Sequence, residues 1–276
     1  MDITPQRQSV LLGQLPYDPG WLEQYLDKAV DNRNFEWGEP VGHVRGSSVS
    51  LACVRCMVLG AMGHREMFEP RVLRIFKVGD YIEDGIIAEM KDAGVFINEN
   101  QQVLILDDDG KVLVDGHYDQ RIRYPRTGEM MLVETKSIKM EKFDEVLPEP
   151  VMSGDFGAAN VANLVAAGFE NYITQWMTYA FSEGLQDKGY IIFECKNTQR
   201  RKYYPLRVIH EVLDPHLAKV AEACTHITAK TVPDRGGRLI SKAPECRYCS
   251  HHALCSAIGK EPTTWDETYL IGGKHG

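Results

Sequence analysis

Asp119, Glu134 and Lys136 have the residue types and the spacing to do chemistry. Glu134 and Lys136 close the apolar run Met131-Leu132-Val133, which reads as a strand. Successive strand residues face opposite sides, so Glu134 and Lys136 share one. An anion and a cation on one face of a buried strand are costly unless something there uses both. The run Val112 to Ile122 alternates likewise and sets Asp115, His117 and Asp119 on one face. Tyr124-Pro125-Arg126-Thr127-Gly128-Glu129 carries the Pro and Gly of a connecting turn, so an antiparallel pair brings Asp119 to Glu134 and Lys136. Two carboxylates and a lysine at adjacent strand ends suit Mg²⁺ or Mn²⁺, with the lysine facing a phosphate or polarising a water. A surface ion pair on a hairpin would read the same way.

A second set of residues is the cysteines. Cys246-x2-Cys249-x5-Cys255 has metal-ligand spacing but lacks a fourth ligand nearby; Cys53, Cys56, His251 and His252 are the candidates. Cys53-x-x-Cys56 taken alone reads as a redox pair, as two ligands, or as one ligand and one packing residue. Cys195 and Cys224 fall on apolar stripes and read as core.

The chain has 276 residues, 43% hydrophobic and 25% charged, which is enough for a full core in an ordinary globular protein. Seven cysteines without a secretion signal argue against a disulfide framework. No apolar run approaches the ~20 residues of a membrane span, and Met1-Asp2-Ile3-Thr4 does not open a signal peptide, so a cytoplasmic location is expected. A formal net charge of -8 gives no basic coat for nucleic acid, although a local basic groove is compatible with it. No Gly-x4-Gly-Lys-Ser/Thr motif marks a self-contained motor.

The elements that must position these residues follow in order. Residues 1–46 read as a leader without an assigned role, containing a helix from Trp21 to Val30, and 47–276 as a single domain. His43 and Arg45 read as loop. A helix from Arg74 to Met90, with Gly94 as its stop, carries Glu83. Val103–Leu106 and Val112–Val114 form a hairpin over Asp107-Asp108-Asp109-Gly110. Lys139 to Asp155 reads as a loop, and one long helix from about Asn160 to Glu183 places Tyr172, Gln175 and Tyr179 on one face. Gln175 and Tyr179 there bind phosphates, orient the lysine, or only flank a core helix. Two further strands, Tyr190–Lys196 and Tyr203–Ile209, flank a basic turn, Arg200-Arg201-Lys202, which reads either as a grip on backbone phosphates or as an ordinary solvated turn. A helix follows the cap-like Asp214-Pro215.

Taken together, Cys53-Val54-Arg55, Gly79 with Glu83, Gly116-x-x-Asp119, Glu134-x-Lys136, Gln175-x3-Tyr179 and Cys246-x2-Cys249-x5-Cys255 resemble the RecB-type branch of the PD-(D/E)xK nucleases. More narrowly, the order resembles the iron-sulfur exonucleases of CRISPR adaptation, their phage-encoded relatives and the nuclease domain of AddB, over about residues 47–258. The resemblance implies an α/β fold, a central mixed sheet flanked by helices, with an iron-sulfur clasp joining the N- and C-terminal parts. It implies a metal-dependent DNA exonuclease acting on single strands or ends, with partners in recombination, repair or CRISPR adaptation. Asp119, Glu134 and the Thr135 carbonyl would hold Mg²⁺ or Mn²⁺, Lys136 would orient the water, and Gln175 and Tyr179 would support the lysine and the DNA. Cys53, Cys246, Cys249 and Cys255 would hold a 4Fe-4S cluster. Many relatives carry a histidine ligand where this chain has Glu83, a harder donor. Two other functions fit parts of the sequence: a zinc-clasped DNA-binding module, and a catalytically quiet subunit of a DNA-processing complex.

Overall fold

The computed structural model describes residues 21–31, 37–51, 53–65, 67–235, 246 and 249–273. Its centre is a six-stranded mixed sheet. The strands are β1 (Val44–Arg45), β2 (Phe96–Leu106), β3 (Val112–Arg123), β4 (Met130–Ile138), β5 (Gly189–Cys195) and β6 (Arg201–Leu206). They run in the order β1-β3-β4-β5-β6, with β2 also on β3. β2 and β3 form the hairpin expected over Asp107 to Gly110, and β3 and β4 the antiparallel pair. β4 and β5 are parallel, so the chain must cross over one face between them.

The crossover is made by α4 (Phe156–Ala166) and α5 (Glu170–Ser182). The single helix expected from Asn160 to Glu183 is therefore two. Ala167 ends the first and Gly168, at φ +83, turns the chain where a side chain would be strained. α5 is fixed to the sheet by Trp176, whose indole N–H donates to the Leu132 carbonyl at 3.2 Å. That ring lies over Gly189, where a Cβ would collide with it. The buried Asn160 of α4 donates to the carbonyls of Val151 and Pro205, holding down the end of the 139–155 segment. That segment is loop apart from one π-helical turn at Lys142–Val146.

The opposite face is covered by α3 (Pro70–Asp92), whose Ile86 and Met90 pack on Val133 and Ile192. Pro70 starts this helix and Gly94, at φ +69, ends it as its sequence implies. No residue before Ile86 is fully buried, although Gly79 approaches Ser137 of β4 and the Ile75 carbonyl accepts from Lys196 at 3.5 Å. α1 (Trp21–Asp31) lies against it through an ion pair between Asp27 and Arg74.

A second core lies beside β1. It joins α2 (Val54–Ala61), α6 (His210–Ala229), β7 (Thr231–Val232), α7 (His252–Ala257), β8 (Thr263–Thr264) and α8 (Trp265–Ile271). The indole of Trp37 donates to the Gly272 carbonyl at 3.1 Å, and the Tyr269 hydroxyl to that of Met62 at 2.9 Å. Early and late segments are thus packed into one layer. Pro215 does not cap α6 but sits inside it, and the helix begins at His210. Cys195 and Cys224 are buried, as their stripes require.

Candidate active site

β3 pairs with β2 along one edge. On its other edge it pairs with β1 at Val114 and Asp115, and with β4 only from Gln120 onward. On that edge Gly116 to Asp119 therefore has no strand beside it, and β3 and β4 part there like a fork. β4 continues beyond the fork because β5 supports it as far as Ile138.

Strand alternation breaks at Asp119. Gly116 and Tyr118 face α5, whereas Gln120 faces α3, where its side-chain amide donates to Glu83 Oε1 at 3.2 Å. On β2, Asn100 stands opposite this break with φ 51. The expectation that Asp115, His117 and Asp119 share a face thus fails at Asp119, whose carboxylate reaches across the fork to accept the Thr135 backbone N–H at 2.8 Å. Asp115 is held instead by Gln102 at 3.1 Å, with His43 3.6 Å away, and His117 is exposed. Neighbouring N–H and C=O groups of one strand residue point to the same side, so the Thr135 carbonyl also opens onto the fork. The Thr135 hydroxyl donates to Gln120 Oε1 at 3.1 Å on the α3 side.

Glu134 and Lys136 do share the α5 face, as their spacing requires. They form an ion pair, and Lys136 Nζ lies 5.6 Å from the centre of the Tyr172 ring. Glu134 is 1% exposed, and its Oε1, although against the ammonium, is out of line for a hydrogen bond. Burial, and then the charge of Asp119, push the Glu134 carboxyl up to about 8. Glu83 is pushed up to about 7, again by burial first and Asp119 second. Burial raises Asp119 too, against the pull of Lys136. Burial alone would lower the Lys136 ammonium, but Glu134 and Asp119 outweigh it and hold the pKa above its usual value. Burial raises all three carboxylates, and Asp119 adds to the rise of Glu83 and Glu134, so one ammonium faces three carboxylates in a donor set short of positive charge. By type and charge they fit a hard divalent cation. Among the described residues, however, no three Asp, Glu, His or Cys side chains close on one point as in a formed metal site.

α5 supplies the other wall. Tyr179 is buried, its hydroxyl pushed up by burial and by the Glu134 charge, and Gln175, one turn earlier, hydrogen-bonds to it. The hydroxyl is wedged between Gly46 and Gly116, where a Cβ on either residue would overlap it. This explains Gly116 physically, and adds Gly46, Gln120 and Tyr172 to the residues around the fork. Gly46 follows β1 in a segment that reads as loop from sequence, and Gln120 lies on the far face only because of the kink. In the basic turn Arg200 pairs with Asp144, Arg201 with Glu89 and Glu194, and Lys202 with Glu149.

Of the cysteines, Cys56 Sγ lies 3.4 Å from Cys249 Sγ. Cys53 and Cys255 are close enough for their charges to act on Cys56. Cys246 is half-buried; the residues beside it, 236–245 and 247–248, lie outside the described residues. The buried His64 and His251 face each other, Nδ1 to Nδ1, at 2.7 Å.

No protein-family model matches the sequence, and no curated protein matches it. Among solved structures, that of SSO0001 is similar at a TM-score of 0.50 and 15% identity, covering 87% of this chain and 98% of that one. An alkaline exonuclease from Laribacter hongkongensis gives 0.44 at 13% identity, over 73% of this chain and 93% of that one. A phage-related exonuclease from Haemophilus somnus 129PT gives 0.44 at 13%, over 68% and 94%. The first is a likeness of fold alone, and the two exonucleases match less well.

Proposed function

We propose that this protein is a divalent-metal-dependent deoxyribonuclease, an exonuclease acting on single-stranded DNA or DNA ends. The observation that carries the reading is the meeting of Glu83, Asp119, Glu134 and Lys136 at one fork, three raised carboxylates around a half-buried lysine. Asp119, Glu134, the Thr135 carbonyl and Glu83 would hold Mg²⁺ or Mn²⁺, which when bound supplies Lewis-acid stabilisation of the phosphate and a more acidic water. Lys136, kept charged by its neighbours, offsets the negative charge that grows on the phosphate. Tyr179 and Gln175 fix the α5 wall against which a strand would lie.

For the cysteines, the family resemblance implies a 4Fe-4S cluster on Cys53, Cys246, Cys249 and Cys255. The 3.4 Å separation of Cys56 and Cys249 favours a second reading, a tetrahedral zinc clasp. Zinc-sulfur bonds of about 2.3 Å bring neighbouring thiolates close together, whereas cysteines on separate irons stand further apart.

The test is the visible absorption spectrum and the iron and zinc content of anaerobically purified protein, then Mn²⁺-dependent cleavage of end-labelled single-stranded DNA. Cleavage lost in Lys136→Ala supports the nuclease. A folded, metal-bearing protein with no cleavage favours the quiet-subunit reading.

A further inference from the structure

Among the described residues Arg55 is the one arginine or lysine that is fully buried, at 1% exposed. It is the second residue of α2, between Cys53 and Cys56. Its Nη1 donates to the carbonyls of Lys260 at 3.3 Å and Glu261 at 3.5 Å, just beyond α7, the helix that carries Cys255. Its Nε and Nη2 are buried with no partner. A buried guanidinium with two unmet N–H groups is costly unless an acceptor completes it.

The groups around Arg55 indicate the acceptor. Of the anions whose charge reaches it, Cys255 acts most strongly, ahead of Cys53 and Asp234. Arg235 stands beside the same cysteine. It donates from Nε to the Gly259 carbonyl at 3.0 Å and from its backbone N–H to the Lys260 carbonyl at 3.2 Å. Both arginines thus hold the segment that follows α7, and the charge of each acts on Cys255. A neutral thiol is a weak acceptor, whereas the thiolate that a metal requires is a strong one. Several thiolates on one metal group also carry excess negative charge, which two nearby cations offset.

We propose that Arg55, with Arg235 beside it, is the counter-charge and hydrogen-bond donor for the metal-bound sulfurs of Cys255 and Cys53. The two are positioning residues: they hold the thiolates, and the thiolates hold the metal. The pair serves zinc or iron alike, and its role rests on the reading of the cysteines as metal ligands. Metal loading gives the unmet N–H groups of Arg55 their acceptor, so removing the guanidinium acts differently on the two forms of the protein. The loaded form loses a partner of its thiolates, whereas the metal-free form loses a buried charge that nothing completes.

The test compares the full chain, purified without oxygen, with Arg55→Met, Arg55→Lys and Arg235→Gln. It follows metal content, the rate of metal loss to excess EDTA, the unfolding midpoint of the loaded and metal-free forms and, where iron is present, the midpoint potential. Arg55→Met should lose metal about tenfold faster, while its metal-free form unfolds no earlier than the wild type. Arg55→Lys, which restores the charge, should recover part of the retention, and Arg235→Gln should show a smaller loss. With iron, the potential of Arg55→Met should fall, because reduction adds negative charge where a cation has gone. Should Arg55→Met not fold, Arg55→Lys and Arg235→Gln carry the comparison. Variants that unfold earlier in both forms yet release metal at the wild-type rate show a packing role and overturn the proposal. So does a metal-bearing wild type that all three variants match. A wild type without iron or zinc overturns the metal reading of the cysteines as well.

Discussion

The backbone N–H of Thr135 donates to Asp119 Oδ2 at 2.8 Å, so a side chain occupies the place where the next strand-to-strand bond would fall. This one bond bridges the fork. It fixes a carboxylate between β3 and β4 while Glu134 and Lys136 project from one face of β4 and Glu83 approaches from the other.

Asp119→Asn keeps an acceptor for Thr135 but removes the charge. The fold should survive with its unfolding midpoint little changed, whereas Mn²⁺-dependent cleavage should fall by about 100-fold or more. Rates measured across a Mn²⁺ titration check this. Full activity in the variant would remove Asp119 from the metal site.

The raised carboxylates make the metal-free protein sensitive to pH. Glu83 at about 7 and Glu134 at about 8 bind protons more tightly folded than at their usual 4.5. Their contribution to stability is therefore fully present below that usual value and is lost as pH rises through about 7 to 8. Thermal unfolding in chelator should show a lower midpoint at pH 8 than at about pH 6. Mn²⁺ should restore more at pH 8, where it no longer competes with protons. A flat profile in chelator would mean that the carboxylates do not strain one another.

The Tyr179 hydroxyl needs both glycines beside it. Gly116→Ala should cost about 1–3 kcal/mol through overpacking, and Tyr179→Phe in the same chain should recover part of that. Denaturant unfolding of the two single variants and the double variant gives the coupling. Strict additivity would show that the ring moves aside freely.

The cysteines divide into two groups. Cys249→Ser should remove most of the bound metal, because Cys249 lies beside Cys56. Cys195→Ser and Cys224→Ser, in the core, should leave metal content unchanged. Elemental analysis of the three purified variants decides the point.

Arg200 is already engaged by Asp144, with bonds of 2.6 and 2.8 Å. Arg200→Ala should therefore leave the salt dependence of DNA binding unchanged, whereas a phosphate contact would reduce the slope by about one.

The runs of β3 and β4, the end of β2 from Val103 and the hairpin over Asp107 to Gly110 were legible because apolar runs and turn residues coincide there, whereas the start of β2 from Phe96, through polar residues, was not. Gly94 likewise ended α3 where expected. The break at Gly168 was not, since apolar residues continue on both sides of it, and only the positive φ reveals the turn. Nor was Pro215 legible as an interior helix residue, because Asp-Pro usually starts a helix. At the site, Glu134 and Lys136 could be paired from spacing alone. The kink at Asp119 could not, because it arises from the edge that β1 and β4 leave open between them. Partner choice among the cysteines is equally tertiary, since Cys56 meets Cys249 across 193 residues.

The bonds from Trp37 to Gly272 and from Tyr269 to Met62 set an order on biosynthesis. A ribosome delivers β1 and α2 before the strands β2 to β6, but the helix that packs on them, α8, only after those strands. The sheet from β2 to β6 can assemble with α5 while the β1 layer still lacks its lid. Gly46, which seats the Tyr179 hydroxyl, belongs to that waiting layer, so a nascent chain stalled before Trp265 would carry every carboxylate of the fork without the packed wall beside them.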